Sequence, residues 1–137
     1  MEYRTGATVK RITALAAAVL LLISLAGCDR YSSHYNATAF VHSNESKSAF
    51  MSFWKFDGRM VFKLKSTGEG DIRYSGSLEE GSAAVYYDYY GTKTELFTVS
   101  GGEKAESRGG YIETGTVYII VETDGQCLNG SFDFAVE

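Results

Sequence analysis

The sequence predicts an all-β domain, an antiparallel β-sandwich or jelly roll of about eight short strands, behind an N-terminal signal peptide. Three observations carry this reading. From Ala37 onward the chain is rich in Tyr, Phe, Val and Thr and is punctuated by glycine. No stretch after the leader sustains apolar residues at helical spacing. About eight runs of strand-like alternation fit into roughly 100 residues, the density of a sandwich or jelly roll.

In chain order the expected strands are Ala37–His42, Ala49–Phe56, Met60–Lys65, Asp71–Glu79, Ala83–Tyr90, Glu95–Ser100, Thr116–Thr123 and Ser131–Val136. Proline is absent, so none is demoted to an edge by that residue. Asp57-Gly58 reads as a hairpin turn between the second and third strands. A two-residue turn there would leave Phe50, Trp54 and Phe56 outside with Arg59, Lys63 and Lys65, as an aromatic and basic platform. A three-residue loop with Gly58 left-handed pairs Trp54 with Met60 and Phe50 with Leu64 instead. One step of register exchanges the faces. The second choice gathers Phe50, Trp54, Met60, Phe62 and Leu64 on one side, each worth roughly 1.5–3 kcal/mol on burial. It is preferred, and it makes Trp54 a core residue. A second hairpin around Glu80-Gly81 sets Leu78 against Ala83, Tyr74 against Tyr87 and, on the outer face, Arg73 against Asp88. The run Val117–Val121 is apolar on both faces, as in a central or covered strand. Phe132, Phe134 and Val136 alternate with Asp133 and Ala135, so the C-terminus closes as a half-buried strand. An aliphatic residue followed by Gly and a hydroxyl recurs at Leu78–Ser82, Ile112–Thr116 and Leu128–Ser131. Its irregular spacing marks reused turn chemistry and not a repeat architecture.

The leader has its own grammar. Arg4, Lys10 and Arg11 precede an uncharged run from Ile12 to Gly27, 16 residues long, after which Asp29 and Arg30 restore charge. A membrane span needs about 20 apolar residues, so the run reads as a secretory signal. It ends in Leu25-Ala26-Gly27-Cys28. Ala26 and Gly27 leave room for a peptidase, and Cys28 supplies the nucleophile. This sequence resembles the lipobox of bacterial lipoprotein precursors. The resemblance implies diacylglyceryl transfer to the Cys28 thiol, cleavage before Cys28 and a palmitate-type lipid anchor. Two acyl chains hold stably where one holds only marginally. Asp29 after the lipidated cysteine implies retention at the outer face of the cytoplasmic membrane.

The expected organisation is therefore a signal peptide over 1–27, a lipidated cysteine and polar tether over 28–36, and a sandwich domain over 37–137. The mature chain of 110 residues carries 10 basic and 16 acidic residues, a net charge near −6. Such a surface repels nucleic acid. Cys127 is the one thiol left after lipidation, so no disulfide forms within a chain. It reads as a small apolar residue near a turn.

Candidate chemistry is sparse. Tyr86, Asp88 and Tyr90 alternate onto one expected outer face, where two phenol rings and a carboxylate suit sugar binding. Residues Gly101–Gly110 read as a long charged surface loop lacking phosphate-loop spacing. His34 and His42 lack the spacing of a zinc site. Asp124 and Asn129 are turn residues without the calcium-loop ligand series. Glu79 and Glu80 lie at a turn as solvated carboxylates, and no nucleophile elbow is present. No cofactor or metal is implied. The expected function is a non-enzymatic binding or interaction module, its partner an envelope protein or a carbohydrate. A carbohydrate-binding surface module and a small cell-envelope hydrolase are the alternatives.

Overall fold

The computed structural model describes residues 31–137, and the signal peptide, the lipobox and Cys28 lie outside them. Nine antiparallel strands and no helix make up the described chain: β1 (His34–Thr38), β2 (Val41–Asn44), β3 (Ser48–Ser66), β4 (Gly70–Glu80), β5 (Ser82–Tyr89), β6 (Thr92–Ser100), β7 (Lys104–Ile112), β8 (Gly115–Thr123) and β9 (Cys127–Val136). Their order is β6-β5-β8-β3-β9-β4-β7, with β1 and β2 paired to β3 off this path. The all-β sandwich class predicted from sequence is the one observed.

The 19-residue strand β3 organises the rest. Its first half pairs with β9 (Met51↔Phe132, Phe53↔Gly130) and its second half with β8 (Phe62↔Ile119, Leu64↔Val117). It thereby joins the two halves of one continuous nine-stranded sheet, β3-β9-β4-β7 (the β9 sheet below) and β6-β5-β8-β3 (the β8 sheet below). Their inner faces meet in one core containing Met51, Phe53, Phe62, Leu64, Ile72, Val85, Ile119 and Phe132. Phe97 of β6 stacks on Tyr74 of β4 at 4.3 Å between ring centroids and packs near Phe132 and Phe134 of β9. Gly76 makes room for this aromatic layer, since a Cβ there would meet Phe132 at 2.8 Å and Phe97 at 2.9 Å.

Two expected hairpins do not form. Asp57-Gly58 is a bend inside β3, not a chain reversal. Gly58 has φ +138°, and a Cβ on it would lie 2.2 Å from the His34 carbonyl oxygen of the crossing strand β1. Only glycine permits both the angle and the approach. Glu80-Gly81 is a crossover between sheets: β4 pairs with β7 and β9, whereas β5 pairs with β6 and β8. The expected pairs Leu78–Ala83, Tyr74–Tyr87 and Arg73–Asp88 are therefore absent. Arg73 instead meets Glu137 at 3.4 Å.

Three further expectations are corrected. Residues 104–110 belong to strand β7, leaving only a short turn at Gly101-Gly102; as an edge strand, β7 carries charges that stay in solvent and discourage pairing with another chain. The expected tether extends too far, because β1 begins at His34 and the compact unit at Tyr31. The first expected strand is broken at Ala39, whose φ of +51° separates β1 from β2 while one register against β3 continues through both (Thr38↔Lys55, Val41↔Ser52). The C-terminal strand and the central, doubly covered β8 are as expected: Ile119, Ile120 and Val121 are all buried.

Candidate functional site

The outer faces of the two sheets differ in what occupies them. On the β8 sheet, register aligns Asp88 of β5 with Tyr118 of β8 and Lys63 of β3. Here lie the residues expected to form a ligand face, and they do not present one. Asp88 is 3% exposed. Its carboxylate accepts hydrogen bonds from the Tyr31 hydroxyl at 2.5 Å and the Gly91 amide at 2.9 Å. Tyr86 is half-buried, with the Lys93 ammonium 4.3 Å above its ring. Tyr90 is 80% exposed but sits in the β5–β6 turn at φ +55°, its hydroxyl donating to the Thr114 carbonyl. The three side chains are brought near one end of a strand without sharing an open surface.

The outer face of the β9 sheet is open. Register lines up Val41, Ser52, Ser131, Ser77 and Lys104 across five strands, and Ser43, Phe50, Asp133, Ser75 and Glu106 in the next row. Small hydroxyl side chains dominate the centre, so nothing tall covers it. Trp54 rises at one end, 48% exposed. It was expected in the core. Its neighbours Phe53 and Phe56 are buried instead, because β3 twists between sheets and leaves both Trp54 and Lys55 outward. Phe56 takes the enclosed place, with Phe53, Phe40 and Tyr35 rings 5.1–5.4 Å away in centroid distance.

The backbone departs from regular strand on both sides of Trp54. Ala39 has φ +51° and Asn129 φ +46°, and the registers place both across from Trp54 on the flanking strands. Asparagine tolerates this region, but alanine there costs about 1–2 kcal/mol. Both residues line one hollow of about 400 Å³ with Ser52, Trp54, Ser77, Gly130 and Ser131. Asn129 donates to Glu79 at 2.8 Å, and the Ser77 and Ser131 hydroxyls lie 3.5 Å apart. A second hollow of about 370 Å³ continues the face over Phe50, Ser43, Ser75 and Asp133. Phe50 and Trp54 are four residues apart on one strand, roughly 13 Å. The surface thus offers an exposed indole, a partly exposed phenyl ring and a field of hydroxyl and amide groups, which can stack an apolar ring face and hydrogen-bond its polar rim.

Other candidates are engaged mainly with one another. Arg108 reaches Glu137 at 2.7 Å and Asp71 at 3.6 Å beside a hollow at the end of β4 and β7. At its rim the Tyr111 hydroxyl donates to Glu69 at 2.9 Å, with a Glu113 carboxylate oxygen 3.2 Å away as the alternative acceptor. The bond to Glu69, aided by desolvation and Glu113, pushes the Tyr111 phenol up to about 12. Cys127 is buried, its thiol donates to the Ser82 carbonyl, and burial pushes its ionisation up, which opposes reactivity. His42 is exposed and stacks on Phe40, and among the described residues no three His, Cys, Asp or Glu side chains gather to hold a metal.

Sequence reasoning missed Trp54 and the serine field. The signal was present in the alternation Phe50, Ser52, Trp54 and in Ser77 and Ser131 at outward positions. The turn chemistry of Asp57-Gly58 masks it, because a reversal there would turn Trp54 inward.

No protein-family model and no curated protein matches the chain. Among solved structures it is similar to TmCBM61 in complex with β-1,4-galactotriose, at 17% identity over 77% of this chain and 87% of that one, TM-score 0.49. It is also similar to the pre-peptidase C-terminal domain of collagenase from Bacillus anthracis (14% identity, 69% and 91% covered, TM-score 0.47) and to a mutant of a family 29 carbohydrate binding module (13%, 76% and 78%, TM-score 0.37). These scores attach no function to the chain.

Proposed function

We propose that the exported domain is a non-enzymatic carbohydrate-binding module, held at the outer face of the cytoplasmic membrane by lipid on Cys28. One observation carries the ligand class: Trp54 is the sole tryptophan and stands half-exposed beside Ser52, Ser77, Ser131 and Asn129. An exposed indole is a flat stacking surface, and a pyranose offers one apolar C–H face with hydroxyls around its edge. The small serines keep the face open and supply both donors and acceptors. The anchor reading rests on the lipobox Leu25-Ala26-Gly27-Cys28.

Because Trp54 is the only indole, its emission reports directly on ligand contact. A glycan array followed by fluorescence titration of the best hit tests the proposal. The expected result is a change in Trp54 emission on binding and at least a tenfold loss of affinity in Trp54→Ala, with Tyr86→Ala unchanged. Binding that survives Trp54→Ala, or no glycan bound at all, would overturn the assignment. The anchor is tested separately: Cys28→Ser should abolish both lipid labelling and leader cleavage, and retention of either contradicts it.

A further inference from the structure

We propose that the outer face of the β8 sheet, formed by β6, β5, β8 and residues 59–66 of β3, lies against an anionic phospholipid surface. The anchoring of Cys28 is taken from the reading above. The first argument is where the described chain begins. Tyr31 is pinned on this face, its ring 5.9 Å from that of Tyr118 and its hydroxyl bonded to Asp88. The Ser33 hydroxyl accepts the Val61 amide at 2.9 Å. Only Asp29 and Arg30 separate Cys28 from Tyr31, and three residue steps reach at most about 11 Å. A lipid on Cys28 must therefore enter the membrane close to this face.

The second argument is charge. The face carries Arg59, Lys63, Lys65 and Lys93 against Asp88, Glu95 and Glu122. Asp88 is buried, and Glu122 is held between Arg59 at 2.9 Å and Lys93 at 3.1 Å. Lys63 and Lys65 are exposed side by side on the same face. The remaining described residues hold five basic and twelve acidic side chains. This face thus carries a slight cationic excess on an otherwise acidic domain, with Glu45 at the edge of the hollow that Lys63 and Lys65 line. A lysine near an anionic surface shifts an equilibrium by about fivefold, so two orient an already tethered domain by roughly thirtyfold. Attachment needs no help from them; orientation does. With this face down, Trp54 on the outer face of the opposite sheet points away from the membrane.

The test moves the single tryptophan. A chain beginning at Cys28 is coupled through that thiol to maleimide-bearing lipid, which supplies the anchor chemically whether or not cells lipidate it. Vesicles contain phosphatidylglycerol or only phosphatidylcholine, with a headgroup nitroxide quencher. Trp54 should stay unquenched. In Trp54→Phe/Tyr86→Trp the reporter sits on the β8 sheet and should be quenched in anionic vesicles, and Lys63→Glu/Lys65→Glu should return it to the level of Trp54. Equal quenching at both positions, or quenching indifferent to the lysine reversal, would overturn the orientation. Failure of lipid labelling at Cys28 in cells would instead strike the anchor reading alone.

Discussion

The two outer faces of this sandwich are built on the same strand alternation and end with opposite characters. On the β8 sheet the outward residues are long: Lys93 covers Tyr86, Glu122 bridges Arg59 and Lys93, and Tyr31 packs beside Tyr118 and closes over Asp88. On the β9 sheet they are short, with Ser52, Ser77 and Ser131 in one row and Trp54 rising at its end. Alternation decides which side chains leave the core. It does not decide whether they meet solvent, which depends on their length and on what crosses above them. A carboxylate between two tyrosines looked like a site and is a clasp; serines that looked bland frame the one exposed indole.

The largest effect tests the frame that both faces share. Strand β9 lies between β3 and β4, and Phe132, Phe134 and Val136 are buried. Deleting residues 132–137 cuts the β9 sheet in two and removes two core rings, each worth about 3–5 kcal/mol. That exceeds much of the stability of an ordinary domain. Limited proteolysis should degrade the truncated chain at a protease concentration the intact chain withstands; equal resistance would mean that β9 is dispensable.

Next in size is a contrast between adjacent residues. Phe53→Ala empties a buried site beneath the hollow and should cost about 3–5 kcal/mol by denaturant unfolding. Trp54→Ala, one residue on, should change stability by about 1 kcal/mol or less while removing binding. If both variants lose stability equally, Trp54 packs as core after all and the open face is not a site.

Much of this frame was legible in the sequence. The strands, the buried β8 and the C-terminal strand follow from period-two alternation, which is local. Partnership is not local. Asp57-Gly58 and Glu80-Gly81 carry the chemistry of turns, yet one bends β3 beneath β1 and the other passes the chain between sheets. Glycine reports that the backbone needs an unusual angle or a close approach, not that the chain reverses. A reversal at Gly58 would put Trp54 in the core, and one at Gly81 would put Asp88 opposite Arg73; the structure has neither. Strand β7 was hidden for another reason: Lys104, Glu106 and Arg108 suit an edge, where the alternation of a half-buried strand is masked by charge. The pinned Tyr31 had no local signal, because its partners are on β5 and β8.

A smaller effect separates the two candidate faces. Asp88→Ala leaves the Tyr31 hydroxyl and the Gly91 amide without their acceptor, a loss of about 1–3 kcal/mol. Hydrogen exchange should rise at Gly91, and residues 31–33 should become sensitive to protease. Glycan affinity should stay within about twofold, since Asp88 belongs to the β8 sheet. An affinity loss matching that of Trp54→Ala would move the site to the tyrosine cluster.

The smallest effect has an unusual sign. Ala39 sits at φ +51° opposite Trp54, a conformation that alanine resists by about 1–2 kcal/mol and glycine adopts freely. Glycine gives back roughly 0.5–1 kcal/mol through the greater freedom of its unfolded chain. Ala39→Gly should therefore stabilise the domain by up to about 1 kcal/mol, where most substitutions destabilise. If the strain serves only to hold β1 and β2 apart beside the indole, the gain comes with glycan affinity intact. If Ala39 contributes a methyl contact to the hollow, affinity falls as stability rises. Unfolding midpoints measured beside Trp54 fluorescence titrations read both quantities on the same samples, and a stability loss in Ala39→Gly would show that the left-handed break is not where the strand stores strain.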